Sequence, residues 1–151
     1  MLTEFTILQT ARNLIFNAVK ELNLNQIHKI PKGFTNNIAW NVAHIVVTQQ
    51  LLHYSLSELN CLAPDDLIDK FRKGTSSKTK LTQEEWNEVK DLLVGLPTCL
   101  EEDYHAKIFK TFTKYQTSTG FVIKNIETAI MFNNLHEGIH LGIILGLKKF
   151  I

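Results

Sequence analysis

His136-Glu137-Gly138-Ile139-His140 decides how this chain is read. It sits inside a long helical run that starts near Asn125 and continues to about Lys149. On a helix, side chains four residues apart lie one above the other, so the two imidazoles can share one metal ion. The run matches the H-E-x-x-H metal motif. On a helical wheel with His136 at zero, His140 falls at about 40°, Asn133 at about 60° and Glu137 at about 100°. Ala129, Ile143 and Leu147 lie within about 20° of zero, so this polar group interrupts an apolar stripe that a helical protein points inward. Buried imidazoles need partners.

A catalytic zinc ion takes three protein ligands and keeps one open position. In zinc proteases with this motif the third ligand lies downstream. Here the segment Leu141 to Ile151 contains no His, Asp, Glu or Cys, which removes the protease reading. A third ligand must come from upstream, where His28, His44, His53 and His105 are available. His28 lies next to the Pro31-Lys32-Gly33 break and is expected at the surface. His105 lies at the ragged end of a helix. His44 and His53 share one helix but are nine residues apart, which puts them on opposite faces and allows only one toward the core. His44 lies in the apolar segment from Trp40 to Val47, with Trp40, Val47 and Leu51 on its side, so His44 is the choice and His53 is expected at the surface.

Four long helical patterns organise the chain. The first spans about residues 3–23 and carries Phe5, Leu8, Ile15, Val19 and Leu22. The second spans about 36–59, with Thr35, Asn36 or Asn37 as its cap. A short helix at 64–72 follows, stopped by Gly74. The third begins at Thr82, where Thr82-x-x-Glu85 forms a capping box, and continues through Trp86, Val89, Leu93, Leu96 and Leu100. Pro97 is expected to kink or briefly break it. Residues 105–123 have no helical period and read as a long loop or extended connection, anchored by Phe112 and Tyr115. The fourth spans about 125–149. The expected architecture is an all-α four-helix bundle with a long connection between helices 3 and 4, in one domain covering 1–151.

Composition narrows the function. Hydrophobic residues make up 44% and charged residues 21% of the 151, and the formal net charge is +1, so no basic surface for nucleic acid is expected. The N-terminus lacks a signal-peptide pattern, and no apolar run is long enough for a membrane span, so a soluble cytoplasmic protein is expected. Cys61 and Cys99 sit among apolar neighbours and read as core thiols.

Two segments resemble the DinB/YfiT-like family. Asn36-Asn37-Ile38-Ala39-Trp40-Asn41-Val42-Ala43-His44 is similar to the start of that family's second helix, which often carries N-x-x-x-W-x-x-x-H. His136-Glu137-Gly138-Ile139-His140-Leu141-Gly142 is similar to its closing H-E-x-x-H-x-G element. With the helices between them, the resemblance covers nearly the whole chain. It implies a four-helix bundle with a divalent metal held by His44, His136 and His140, a homodimeric assembly, and relatives that act as thiol-dependent S-transferases or isomerases. The family often has Gln after the closing glycine; Ile143 stands here, which removes one hydrogen bond near the site but no ligand.

Three neutral imidazoles suit zinc or nickel and leave a position at which a water or a low-molecular-weight thiol is activated. Glu137 is placed to orient that water or accept its proton, or else is a salt-bridged carboxylate. Asn133 and Asn41 are candidates to hold the ligands in place. The functions that follow are a metal-dependent thiol S-transferase or hydrolase acting on a small molecule, or a non-catalytic metal-binding stress-response module. Gly138, Gly142 and Gly146 lie nearly opposite the histidines, which fits either tight packing within one chain or a dimer contact.

Overall fold

A computed structural model of the chain describes residues 2–151. It is predominantly α-helical: α1 (Thr3–Val19), α2 (Leu24–His28), α3 (Ile38–His53), α4 (Asp65–Phe71), α5 (Gln83–His105) and α6 (Ile126–Lys148). A 3-10 turn at Ser55–Ser57 follows α3, and a two-stranded antiparallel hairpin, β1 (Tyr115–Gln116) with β2 (Val122–Ile123), lies between α5 and α6. Tyr115 pairs with Ile123 and Gln116 with Val122. Among the described residues, no helix is long and apolar enough to cross a membrane.

The helix starts are set by side chains that satisfy orphan backbone N–H groups. Asn37 caps α3 by accepting from Trp40 N at 2.8 Å. Thr82 and Glu85 form the expected reciprocal box on α5, and Asn125 with Thr128 does the same on α6. The same chemistry shortens the first helical pattern. α1 ends at Val19, and Asn23 opens the separate helix α2 through a capping box with Gln26.

Four long helices, α1, α3, α5 and α6, enclose the core. α3 packs on α5 and α6, and α1 packs on the same two helices from the other side. Ile15, Val42, Ile45, Trp86, Leu93 and Ile144 are fully enclosed there. α3 is the most deeply set. Besides α5 and α6 it meets α2, α4 and the 3-10 turn, so residues on nearly every side of it are buried.

That explains two corrections. His44 and His53 do lie on opposite faces of α3, yet both are buried, because α3 has neighbours on nearly every side. His28 is also buried. Its Nδ1 donates to Leu24 O at 2.8 Å, and its Nε2 accepts from Leu81 N at 3.0 Å, which ties the start of α5 to α2.

α5 runs unbroken through Pro97. A proline deprives the carbonyl four residues earlier, here Leu93 O, of its donor. Arg12 Nη1 from α1 supplies the replacement at 2.9 Å. Phe112 packs into the core as expected, whereas Tyr115 is exposed at the hairpin. Cys61 and Cys99 are free thiols and partly buried, with Cys61 packed against the core.

Candidate metal centre

The contact between α3 and α6 brings His44, His136 and His140 together. Each offers one ligand atom, and these atoms all lie within 4.8 Å of one another. The ring centroids are 5.2 Å apart for His44 and His136, 5.0 Å for His44 and His140, and 4.5 Å for His136 and His140.

Two of the rings are oriented by acceptors outside the cluster. His44 Nδ1 lies 2.8 Å from Phe71 O at the end of α4. A carbonyl can only accept, so Nδ1 carries the proton and Nε2 keeps its lone pair. Trp40, one turn earlier on α3, stacks on the same ring at 4.4 Å with an 11° interplanar angle. His140 Nδ1 lies 2.7 Å from Asn41 Oδ1. The Asn41 amide is itself fixed, because its Nδ2 donates to Asn37 O at 2.7 Å and to Asn36 Oδ1 at 3.1 Å. His140 therefore also keeps Nε2 unprotonated. His136 has no such tether: its Nδ1 is buried without a protein partner.

The cluster is electrically neutral. Burial, followed by the neighbouring imidazoles His140 and His44, pushes His136 down to about 3. Burial and His44 push His140 down to about 4, and burial lowers His44 as well. Three neutral imidazoles, each offering one ligand atom within 4.8 Å of the others, form a donor set that suits a divalent ion such as zinc or nickel.

Glu137 points away from this cluster into a buried polar layer. Arg12 Nε donates to its Oε2 at 2.6 Å and Arg12 Nη2 to its Oε1 at 2.8 Å, with both side chains fully enclosed. Asn133 Nδ2 adds a third donor to Oε1 at 2.7 Å. The remaining Arg12 bonds go to Leu93 O and to Gln49 Oε1, the latter at 3.2 Å. One guanidinium thus joins α1 to α3, α5 and α6. Of the two roles open to Glu137 in the sequence, the structure shows a salt-bridged carboxylate.

Arg12 was not anticipated, although it carried a signal. It stands four residues after Leu8 and three before Ile15, on the apolar stripe of α1. A cation at a core position requires a buried anion, and Glu137 occupies a comparable position on α6.

His53 belongs to the same layer. Its Nδ1 donates to Gln49 O at 2.6 Å. Burial pushes its pKa down from 6.5 to about 4, with the Arg12 charge acting in the same direction and the Gln49 carbonyl opposing it. Between those values the unfolded chain takes up a proton that the native chain refuses, so stability falls as pH is lowered through this window. His53 alone is expected to contribute a slope of up to about 1.4 kcal/mol per pH unit, and His53→Gln should flatten the curve. Urea unfolding of both proteins across that window measures the difference; equal slopes would show that His53 does not titrate this way.

A cavity of about 640 Å³ opens beside the three histidines. Its walls come from α3, α6, the β1–β2 turn and the residues that follow α4.

A helical protein with three neutral imidazoles converging from two helices, next to a small-molecule-sized cavity, has the makings of a metal-binding helical protein. The chain belongs to the DinB superfamily, whose family model matches residues 7–144. Comparison with curated proteins gives no match.

Proposed function

We propose that this chain is a DinB-type four-helix bundle that holds one divalent metal ion on His44, His136 and His140. We further propose that the centre acts on a small molecule in the adjoining cavity by group transfer or hydrolysis. The observation that carries the reading is the donor set: three neutral imidazoles with ligand atoms within 4.8 Å, two of them held in the tautomer that leaves Nε2 unprotonated. A divalent ion bound there supplies a Lewis acid able to activate a water or a low-molecular-weight thiol. The protein's own part is positional. Phe71 O and Asn41 hold two rings in one tautomer, and Trp40 covers the face of His44. Arg12 and Asn133 occupy the Glu137 carboxylate, so we assign Glu137 to holding α6 in place and not to proton transfer.

Metal analysis of protein purified without an affinity tag tests the centre. About one first-row metal per chain is expected. Wild-type binding no tighter than that of a His44→Ala/His136→Ala/His140→Ala variant would remove the reading. Incubating the metal-loaded protein with electrophiles and candidate thiols tests the chemistry; metal without turnover across a broad panel would leave a non-catalytic metal-binding module. Asn41→Ala should weaken metal binding about 10- to 100-fold while leaving the helical signal unchanged, because it frees the His140 ring without removing a ligand.

We also propose a homodimer through α6. Gly138, Gly142 and Gly146 do not pack tightly within the chain, since a Cβ added at any of them would meet nothing within 4 Å. Met131, Leu135, Gly138, Gly142 and Leu145 recur at alternating spacings of four and three along this helix, and its three large apolar side chains are exposed. That is the spacing of a helix-pairing seam, with glycines where two backbones approach most closely. A seam that lies on one helix is self-complementary about a two-fold axis. Sizing by light scattering should give a dimer that Leu145→Glu converts to monomer. A wild-type monomer would discard the assignment.

A further inference from the structure

The charge around the cavity says more about what enters it. Two cations, Arg72 and Lys73, line it, and no Asp or Glu does. Among the described residues, neither cation has a carboxylate within 4 Å. The contrast with Lys70, just before them, is direct: Lys70 is paired with both Asp66 and Glu85.

The segment carrying these cations is tied to the residues that build the histidine cluster. Arg72 follows Phe71, whose carbonyl receives His44 Nδ1. Arg72 O accepts from Thr75 N at 3.2 Å and from Thr75 Oγ1 at 2.7 Å, closing a tight turn through Gly74. Gly74 has φ of +89°, which a residue with a Cβ adopts only with strain. Thr75 Oγ1 in turn accepts from Trp40 Nε1 at 3.0 Å. The same Trp40 and His44 thus support both the cluster and the cationic turn. Much of the remaining wall is apolar, from Leu51 and Leu56 on one side to Leu135 and Ile139 on the other.

We propose that Arg72 and Lys73 form an anion-binding subsite, and that the cavity takes a small amphipathic carboxylate with its apolar body along the leucine-rich wall. The assignment rests on reading the histidine cluster as the reactive end of this cavity. Guanidinium matches carboxylate through paired N–H donors, and an unpaired lysine beside it adds to the field. The carboxylate anchors one end of the molecule, while the rest extends along the apolar wall and the histidine side.

The probes are 4-phenylbutyrate and its uncharged amide, titrated calorimetrically into metal-stripped and zinc-loaded protein. The acid should bind about tenfold more tightly than the amide in both forms, and the advantage should shrink as salt is raised. Arg72→Gln/Lys73→Gln should equalise the two compounds, while Lys78→Gln/Lys80→Gln, cations of the same connection outside the cavity, should not. Four outcomes overturn the proposal: equal binding of acid and amide, a preference that survives Arg72→Gln/Lys73→Gln, no saturable binding of either compound, or a preference seen only with zinc. The last would make the carboxylate a metal ligand. The metal-stripped arm does not depend on metal binding, so loss of the metal reading alone leaves the acid preference visible.

Discussion

Replacing Arg12 with alanine is expected to cost about 3–5 kcal/mol of stability, because it strands the fully enclosed Glu137 carboxylate. Against a typical total of about 5–15 kcal/mol, that is enough to bring the protein close to unfolding. Glu137→Gln should approach the same loss, since it leaves the guanidinium as the uncompensated charge. Removing both charges should behave differently. A buried ion pair exchanged for apolar groups of similar volume is often neutral or stabilising, so Arg12→Met/Glu137→Met should be more stable than either single substitution. Recovery will be incomplete for a local reason. The double variant still leaves Leu93 O, Gln49 Oε1 and Asn133 Nδ2 without the partners they have now. Each stranded neutral group costs less than a stranded charge, so these losses offset only part of the recovery. Adding Pro97→Ala returns a backbone donor to Leu93 O and should restore part of the remainder. Urea unfolding midpoints across this series provide the check. If the double variant loses the sum of the two single losses, the charges do not act as a pair.

Loss of metal is the second large effect. Each of His44→Ala, His136→Ala and His140→Ala should weaken binding by more than about 100-fold, beyond the range for removing a supporting group such as Asn41. Binding to the native state alone adds stability by mass action, about 4 kcal/mol when free metal is a thousand times the dissociation constant. Zinc should therefore raise the thermal midpoint of the wild type and leave that of the triple variant unmoved. Protons compete for the same nitrogens, so affinity must fall as pH is lowered. A midpoint that rises equally in both proteins would place the metal elsewhere on the chain.

The three histidines were legible because their evidence is local. The four-residue spacing of His136 and His140, and the Trp40-to-His44 segment, are patterns within single helices. Asn41 was legible for the same reason. What escaped was long-range or carried by the backbone. Arg12 meets Glu137 across 125 positions, and no periodicity announces that pairing. The acceptor for His44 is the carbonyl of Phe71, at the end of a separate short helix, and a carbonyl has no residue identity to read. A helical wheel places His53 at the surface only where a helix has two environments; α3 has neighbours nearly all round. Pro97 was expected to disturb α5, and the donor that satisfies the carbonyl it frees comes from another helix. Asn23 held a readable cap that the apolar rhythm through Leu22 concealed.

The Arg12 connections also bear on the order in which the chain can assemble. A ribosome releases α1, α3 and α5 before α6 exists. During that interval the guanidinium can reach Leu93 O and Gln49, but the carboxylate it pairs with among the described residues, Glu137, has not been made. Enclosing it then would bury an unpaired charge, so closure of the first three long helices before the last one docks is expected to be unfavourable. His136 and His140 arrive on that same helix, next to the glutamate that releases the constraint. Capture of a metal ion by this chain would therefore mark the end of its folding and not an early step, and a nascent chain stalled before α6 should neither collapse fully nor sequester metal.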